Sequence, residues 1–362
     1  MRPRVLFRTH YQVDEPGYIG VILRSCSLPT KGTYPEVVAE RFAKVVRNLG
    51  KKINPKAGRY AVDLARGLGV LNEQCSWTEK GHLINLLSRG KDRPLQEQLE
   101  FDDRERLAYF RLFLDADGAA LRFIGQKVLE HGQLPYGNCD WITFVREMFL
   151  SIYSDYRLVT GDTLDRASLR KDIDRLRARE YEGKTGPHKA FIHLQTLCRL
   201  GLLERADLGG TRHYRLPQSP DRDSLAIARL VREVPSVAAL EKTAKNRTWM
   251  ELAARVFNLS SLRYAGVRRG PIEDLPSHQI ADLYLQVMRT GIPLCPLSTL
   301  LETVQIEMLM QSSILMTFED LLEHLKGLQK RFPRGIRLHV DRQGRPAYLR
   351  MSEAVVSAML GR

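Results

Sequence analysis

Apolar residues recur at helical spacing along most of the chain. In YPEVVAERFAKVVRNLG, Val37, Val38, Phe42, Val45, Val46 and Leu49 repeat with a helical period. Gly50 stops that helix, with Lys51 and Lys52 at the end where the helix dipole favours cations. A second helix places Tyr60, Leu64 and Leu68 on one face, LGVLNEQCSWT reads as a short strand, and Thr78 caps a third helix. From about Pro94 to Arg157 the pattern is helical throughout, with two helices broken near Asp117-Gly118 and another in WITFVREMFLSIYSDY. Leu169, Ile173 and Leu176 form a stripe in a charged stretch, and the turn-rich YEGKTGPHK leads into a helix carrying Phe191, Leu194, Leu197 and Leu200.

Two hairpins punctuate the second half. Gly-Leu-Leu after Leu200 leads into a short strand, a turn at Gly209-Gly210 and a second strand. LPQSPDRDS reads as a linker, and further helices run to about Gln311, interrupted by RRGPIEDLPSHQ and GIPLCPLS. Thr317 caps a helix with Leu321, Leu322, Leu325 and Leu328 on its apolar face; IRLHV alternates as a strand does, DRQG turns, RPAYLRM returns, and a short helix ends the chain.

The helix KAFIHLQTLCRL, the turn GLLE and the hairpin RADLGGTRHYRL together resemble the winged helix-turn-helix superfamily. LLEHLKGLQKRFPRGIRLHVDRQGRPAYLRM echoes the pattern, and LARGLGVLNEQCSWTEKGHLINLL echoes it more weakly; the three stretches cover under half of the chain. The resemblance implies a mainly α protein with two or three winged-helix units bearing small β-hairpins and joined by helical segments. The expected division is an N-terminal helical or winged-helix-like domain over 1–93, a helical connector over 94–160, a central winged helix over 161–217, a helical segment over 218–316 and a C-terminal winged-helix-like domain over 317–362. Winged helices also serve as protein-protein modules, so the fold does not fix the function.

A length of 362 residues suits two or three domains, and 43% apolar with 27% charged residues places the chain in the globular class. Charge changes the picture more. Lys plus Arg number 56 against 42 Asp plus Glu, a formal net charge of +14, which biases encounters toward polyanions. Between Arg41 and Arg66 lie Arg41, Lys44, Arg47, Lys51, Lys52, Lys56, Arg59 and Arg66 against the single acid Asp63. Arg41, Lys44 and Arg47 share one helix face and repel one another unless a polyanion is present. In the last hairpin, Lys330, Arg331, Arg334, Arg337, Arg342, Arg345 and Arg350 face only Asp341. Arg337 and His339 point away from Ile336, Leu338 and Val340, and Arg342 and Arg345 flank the tip. Guanidinium is planar, permanently charged and able to grip phosphate with two donors.

By the resemblance, the helix over 187–200 is a recognition helix whose outer face carries His188, Lys189, His193, Gln195 and Arg199, types that read base edges or hold phosphates. Arg205, Arg212, His213 and Arg215 surround the wing turn that follows.

Catalytic patterns are weak by comparison. Gly183-Lys184-Thr185 copies the end of a Walker loop, but Ala178 stands where the first glycine is required. Asp102 and Asp103 precede a helix, Asp115 and Asp117 fall near a turn, and Cys139 beside Asp140 has no identifiable base. His188 and His193 are five apart, a poor spacing for one metal-facing helix edge. Cys26, Cys75, Cys139, Cys198 and Cys295 lack metal or redox spacing and read as reduced and structural. The N-terminus lacks a signal sequence and no apolar run is long enough to span a membrane, so a cytoplasmic setting is expected.

The expectation is a non-enzymatic double-stranded DNA-binding protein without cofactor or metal. It would be a transcriptional regulator or the DNA-recognition subunit of a larger complex, such as a defence or mobile-element system. A protein partner or a homodimer is a further candidate. The alternatives are an interaction scaffold for an acidic partner, then an RNA binder or a cryptic nuclease.

Overall fold

Short polar side chains start several helices by accepting backbone N–H groups that the first turn leaves unpaired. Thr78 accepts from Gly81 N at 3.2 Å. Asp102 and Glu105 form a reciprocal capping box, as do Thr317 and Asp320. The structure is a computed structural model that describes residues 13, 15–25, 34–48, 50, 53, 55–88, 95–137, 139–159, 171, 174, 188–218, 223–234, 249–259, 277–289, 294–312 and 315–361.

Helices α1 (Tyr18–Ser25), α2 (Pro35–Asn48) and α3 (Pro55–Gly67) pack together around Ile19, Ile22, Phe42 and Val46. Leu71 and Trp77 then pair in a single antiparallel bridge, and α4 (Glu79–Leu87) follows. α2, α3 and α4 are the expected helices; α1 was not expected, and in place of the expected short strand stands only this isolated bridge.

After the one-turn α5 (Leu95–Gln98) comes α6 (Asp103–His131). It is broken at Asp117, whose φ of −141° and ψ of 32° are non-helical, at the place the sequence predicts. The stretch read as helical throughout contains a strand, β1 (Gln133–Pro135), before α7 (Trp141–Val159). Then come α8 (His188–Arg199), β2 (Glu204–Leu208) and β3 (Thr211–Arg215), with Gly209 and Gly210 at φ of +56° and +77° in the turn. β1 pairs with β3 through Leu134 opposite Tyr214, giving a three-stranded antiparallel sheet of order β1-β3-β2. The periodicity missed β1 because a three-residue strand carries no readable alternation.

Helices α9 (Ala226–Glu233) and α10 (Trp249–Val256) pack on α6. The chain continues with α11 (Ser277–Met288), β4 (Cys295–Pro296), α12 (Leu297–Ser312), α13 (Phe318–Arg331), β5 (Ile336–Val340), β6 (Pro346–Met351) and α14 (Glu353–Met359). The second sheet has the order β4-β6-β5 and is also antiparallel. β4 lies in GIPLCPLS, the stretch read only as a break between helices, so each hairpin gains a third strand from a distant part of the chain.

The protein is mainly helical, with small three-stranded antiparallel sheets. One apolar core runs from Val13 to Val256 and takes in Ile306 and Leu309 of α12; a second holds α11–α14 with Leu86 of α4. Ion pairs from Arg111 to Glu302 and from Arg104 to Glu307 (2.9 Å) join the two. Among the described residues no helix is long and apolar enough to cross a membrane.

Candidate nucleic-acid interface

In the terminal hairpin, strand alternation sorts side chains by face. Ile336, Leu349 and Met351 are buried, while Arg337, Tyr348 and Arg350 are exposed. The register sets Arg337 directly opposite Arg350 and His339 opposite Tyr348. Like charges directly across a strand pair destabilise the sheet when nothing neutralises them. Lys330, Arg331, Arg334, Arg337, Arg342, Arg345 and Arg350 are all exposed, and none forms an ion pair among the described residues. The one acid in this stretch, Asp341, shapes the tip. It accepts from Gln343 N at 2.8 Å and Arg345 N at 2.9 Å, and the Arg345 backbone bond holds its carboxyl below the usual carboxylate range. Val340, 58% exposed, stands beside this basic row.

The helix before the hairpin is split in sign. Glu319 and Asp320 occupy the first turn of α13, Glu323 pairs with Lys326 at 2.6 Å, and Lys330 and Arg331 close it. That polarity suits the helix dipole. It leaves the positive surface on the hairpin and the end of α13.

Helix α2 follows its sequence pattern. Phe42 and Val46 are buried; Arg41, Lys44 and Arg47 are exposed on the other side, without ion pairs among the described residues. Lys56 is exposed, with its ammonium 5.9 Å from the Tyr60 ring centroid. Arg59 reaches Glu36 at 3.6 Å, and Arg66 is held by Asp63 and Glu73. Lys51, Lys52, Cys26, the stripe residues Leu169, Ile173 and Leu176, and Gly183-Lys184-Thr185 lie outside the described residues.

The central helix differs from its expected role. His188 and Lys189 open α8, but their side chains lie outside the described part. His193 does not face outward. It is fully buried, and its Nε2 lies 2.9 Å from Oδ2 of the equally buried Asp117, the residue that breaks α6. Arg199 is not an open contact either. Its guanidinium grips Glu15 with two bonds, 2.7 and 3.2 Å, and Glu15 also accepts from Gly17 N at 3.0 Å. The physical reason is packing on more than one side: α6 and α7 lie against α8 and the Glu15 segment against Arg199. Gln195 remains half-exposed.

In the central hairpin Arg205 is exposed and Arg215 is bound to Glu204 at 2.7 Å. Arg212 sits 5.1 Å from the Tyr136 ring centroid, a cation–π contact. His213 is half-buried. The sequence marks Asp117 as a helix break but not as the partner of His193, and Glu15 and Tyr136 carry no signal at all; Tyr214 does, since it shares a strand face with Arg212 in TRHYR.

The acids considered for catalysis hold the fold. Asp102 caps α6, Asp103 pairs with Arg106 at 2.8 Å, and Asp115 takes Lys80 at 3.0 Å. Asp140 accepts from the Thr143 hydroxyl at 2.7 Å, which holds its carboxyl low. Burial pushes the Cys139 and Cys75 thiols up, and that of Cys295 up to about 12. Such thiols are poor nucleophiles. Among the described residues no three His, Cys, Asp or Glu side chains gather as a metal site.

Comparison of the chain with protein-family models, with curated proteins and with solved structures finds no match.

Proposed function

We propose that this chain is a non-enzymatic double-stranded DNA-binding protein that makes its main contacts through the terminal hairpin and the exposed face of α2. In this reading the central and terminal units, whose described elements outside residues 160–187 run helix, strand, helix, helix, strand, strand, are winged helices, and the α1–α4 region is a reduced relative of them. The terminal hairpin is then a wing laid along the phosphate backbone. The observation that carries the reading is the unpaired basic row with Arg337 opposite Arg350. A row of exposed guanidiniums that costs the isolated sheet energy gains it back on a polyanion. The acidic start of α13 opposes deep entry of that helix into a groove, so the contacts favour backbone over bases and binding is largely independent of sequence. A regulator, or the DNA-recognition subunit of a larger cytoplasmic complex, has use for such a surface.

The test is a salt-titrated binding assay on duplex DNA, duplex RNA and single strands. If roughly six phosphates are engaged, log affinity falls against log salt with a slope of about −5 on duplex DNA. Binding that is absent at ~50 mM salt, or insensitive to salt, overturns the reading. Tighter binding to duplex RNA or to single strands replaces DNA by that ligand.

A further inference from the structure

Beside the central hairpin lies a cavity of about 110 Å³ lined by Gln195, Arg205, Arg212, Tyr136 and Tyr214. It is larger than the ~15 Å³ that a single water needs. It is well below the ~300 Å³ at which pockets for whole organic ligands begin. Its occupant is therefore a small polar group or ion.

The lining chooses the sign. Arg205 and Arg212 form no ion pair among the described residues, and the Arg212 Nε is buried without a hydrogen-bond partner there. The Gln195 amide has no partner among the described residues. Tyr214 is only 3% exposed, and its hydroxyl likewise has no hydrogen-bond partner among them. The hydroxyl of this otherwise buried side chain is not sealed in the core, and a donor at a cavity wall gains a bond from an acceptor that enters. The only carboxylate in the lining, Glu15, is already neutralised by the two bonds from Arg199. The free groups are thus two guanidiniums, an amide and a hydroxyl, and all can donate.

Strand geometry holds them together. Arg205 is directly opposite Tyr214, and Arg212 lies two residues before Tyr214 on the same face of β3. The Tyr136 backbone N–H donates to Arg212 O at 2.7 Å, which fixes the ring that packs on the Arg212 guanidinium.

We propose that this cavity binds a phosphoryl group, gripped by Arg205 and Arg212 and accepting hydrogen bonds from the Tyr214 hydroxyl and the Gln195 amide. A tetrahedral oxyanion spreads its acceptor oxygens in three dimensions toward converging donors, whereas the acceptor sites of a carboxylate lie near one plane. Burial pushes the Tyr214 hydroxyl up to about 12, so it stays protonated and donating throughout the physiological range. The proposal does not rest on the duplex-binding reading, because the terminal hairpin contributes nothing to this cavity.

Titration of the full chain with inorganic phosphate, followed by calorimetry, tests it. Phosphate is expected to bind, and more tightly at pH 8 than at pH 5.5, because its second ionisation lies near pH ~6 to 7. Tyr214→Phe and Arg205→Gln should each weaken binding about tenfold, or ~1.4 kcal/mol. Arg205 is exposed, so its substitution keeps the test valid if the Tyr214 variant fails to fold. Arg342→Ala with Arg345→Ala should leave phosphate binding unchanged. A 5′-phosphorylated single strand that binds better than its 5′-hydroxyl counterpart assigns the group to a nucleic-acid end; equal binding of the strands with retained phosphate binding assigns it to free phosphate or a small ester. Acetate binding as tightly as phosphate, or phosphate binding untouched by both Tyr214→Phe and Arg205→Gln, overturns the proposal, as does no measurable phosphate binding.

Discussion

In the central unit the helix before the hairpin, α8, is buried without interruption from Ala190 to Leu194, and again at Thr196 and Leu197. Its counterpart in the terminal unit, α13, buries only Leu321, Leu325 and Leu328 and keeps one side open. The hairpins differ in the same sense. Arg215 is spent on Glu204 and Arg212 stacks on Tyr136, whereas the arginines from Arg334 to Arg350 hold no carboxylate among the described residues. Leaving aside residues 160–187, the order of the described elements and the strand order within each sheet are the same. What differs is the packing around them. Surface role in such a unit is decided by what covers its helix, and in the central unit α8 is covered by α6 and α7 and its Arg199 by the Glu15 segment.

The sharpest way to break this comparison is His193→Ala. It removes the ring that Asp117 meets in the core, and loss of one member of a buried pair costs about 3 kcal/mol. Chemical denaturation should show that loss, while the folded protein keeps its affinity for duplex DNA. A stable variant with altered site preference would instead make α8 a reading helix after all.

Next in size is the terminal hairpin. Replacing Arg337, Arg342, Arg345 and Arg350 with Ala should lower duplex affinity by about 10²-fold or more near physiological salt and make the salt slope shallower by roughly three. Unfolding midpoints should hold or rise slightly, because the Arg337–Arg350 repulsion is removed. Equal loss from Arg205→Ala with Arg212→Ala would erase the distinction between the hairpins.

Arg199→Ala should cost about 1 kcal/mol, the upper end for a partly exposed ion pair. It should increase hydrogen exchange in the Glu15–Ile19 segment and leave α13 unaffected. Protection unchanged at Gly17 and Ile19 would mean that the N-terminal segment docks without that pair.

The smallest effect concerns the joint between the two units. His82 lies on α4, which supplies Leu83 and Ile84 to one core and Leu86 to the other, and burial holds its pKa below the ordinary value. The unfolded chain takes up this proton more readily than the folded one, so stability should fall as pH drops below about 6.5. His82→Gln should flatten the thermal-midpoint profile in that window. An identical slope in the variant would assign the acid loss to other groups.

The sequence by itself determined the helices that pack on one side only, because a single apolar stripe leaves a period to read. The face of Arg41, Lys44 and Arg47, the Leu321–Leu328 stripe, the caps at Thr78 and Thr317, the break at Asp117 and the glycine turns of both hairpins were all legible. The unpaired arginines of the last hairpin were legible too, since their segment holds one acid and that acid is spent on its own turn. Only the tertiary structure decided the fate of α8. A helix packed on several sides has no outer face for periodicity to find, and the partners that cover or neutralise it, Asp117 and Glu15, stand 76 and 184 residues away from His193 and Arg199. The short strands β1 and β4 were hidden for a related reason: two or three residues become a strand only when a distant edge supplies their hydrogen bonds. The cavity beside Tyr214 belongs to the same class, because it brings together β3, the β2 strand opposite, and side chains from α8 and the loop before α7.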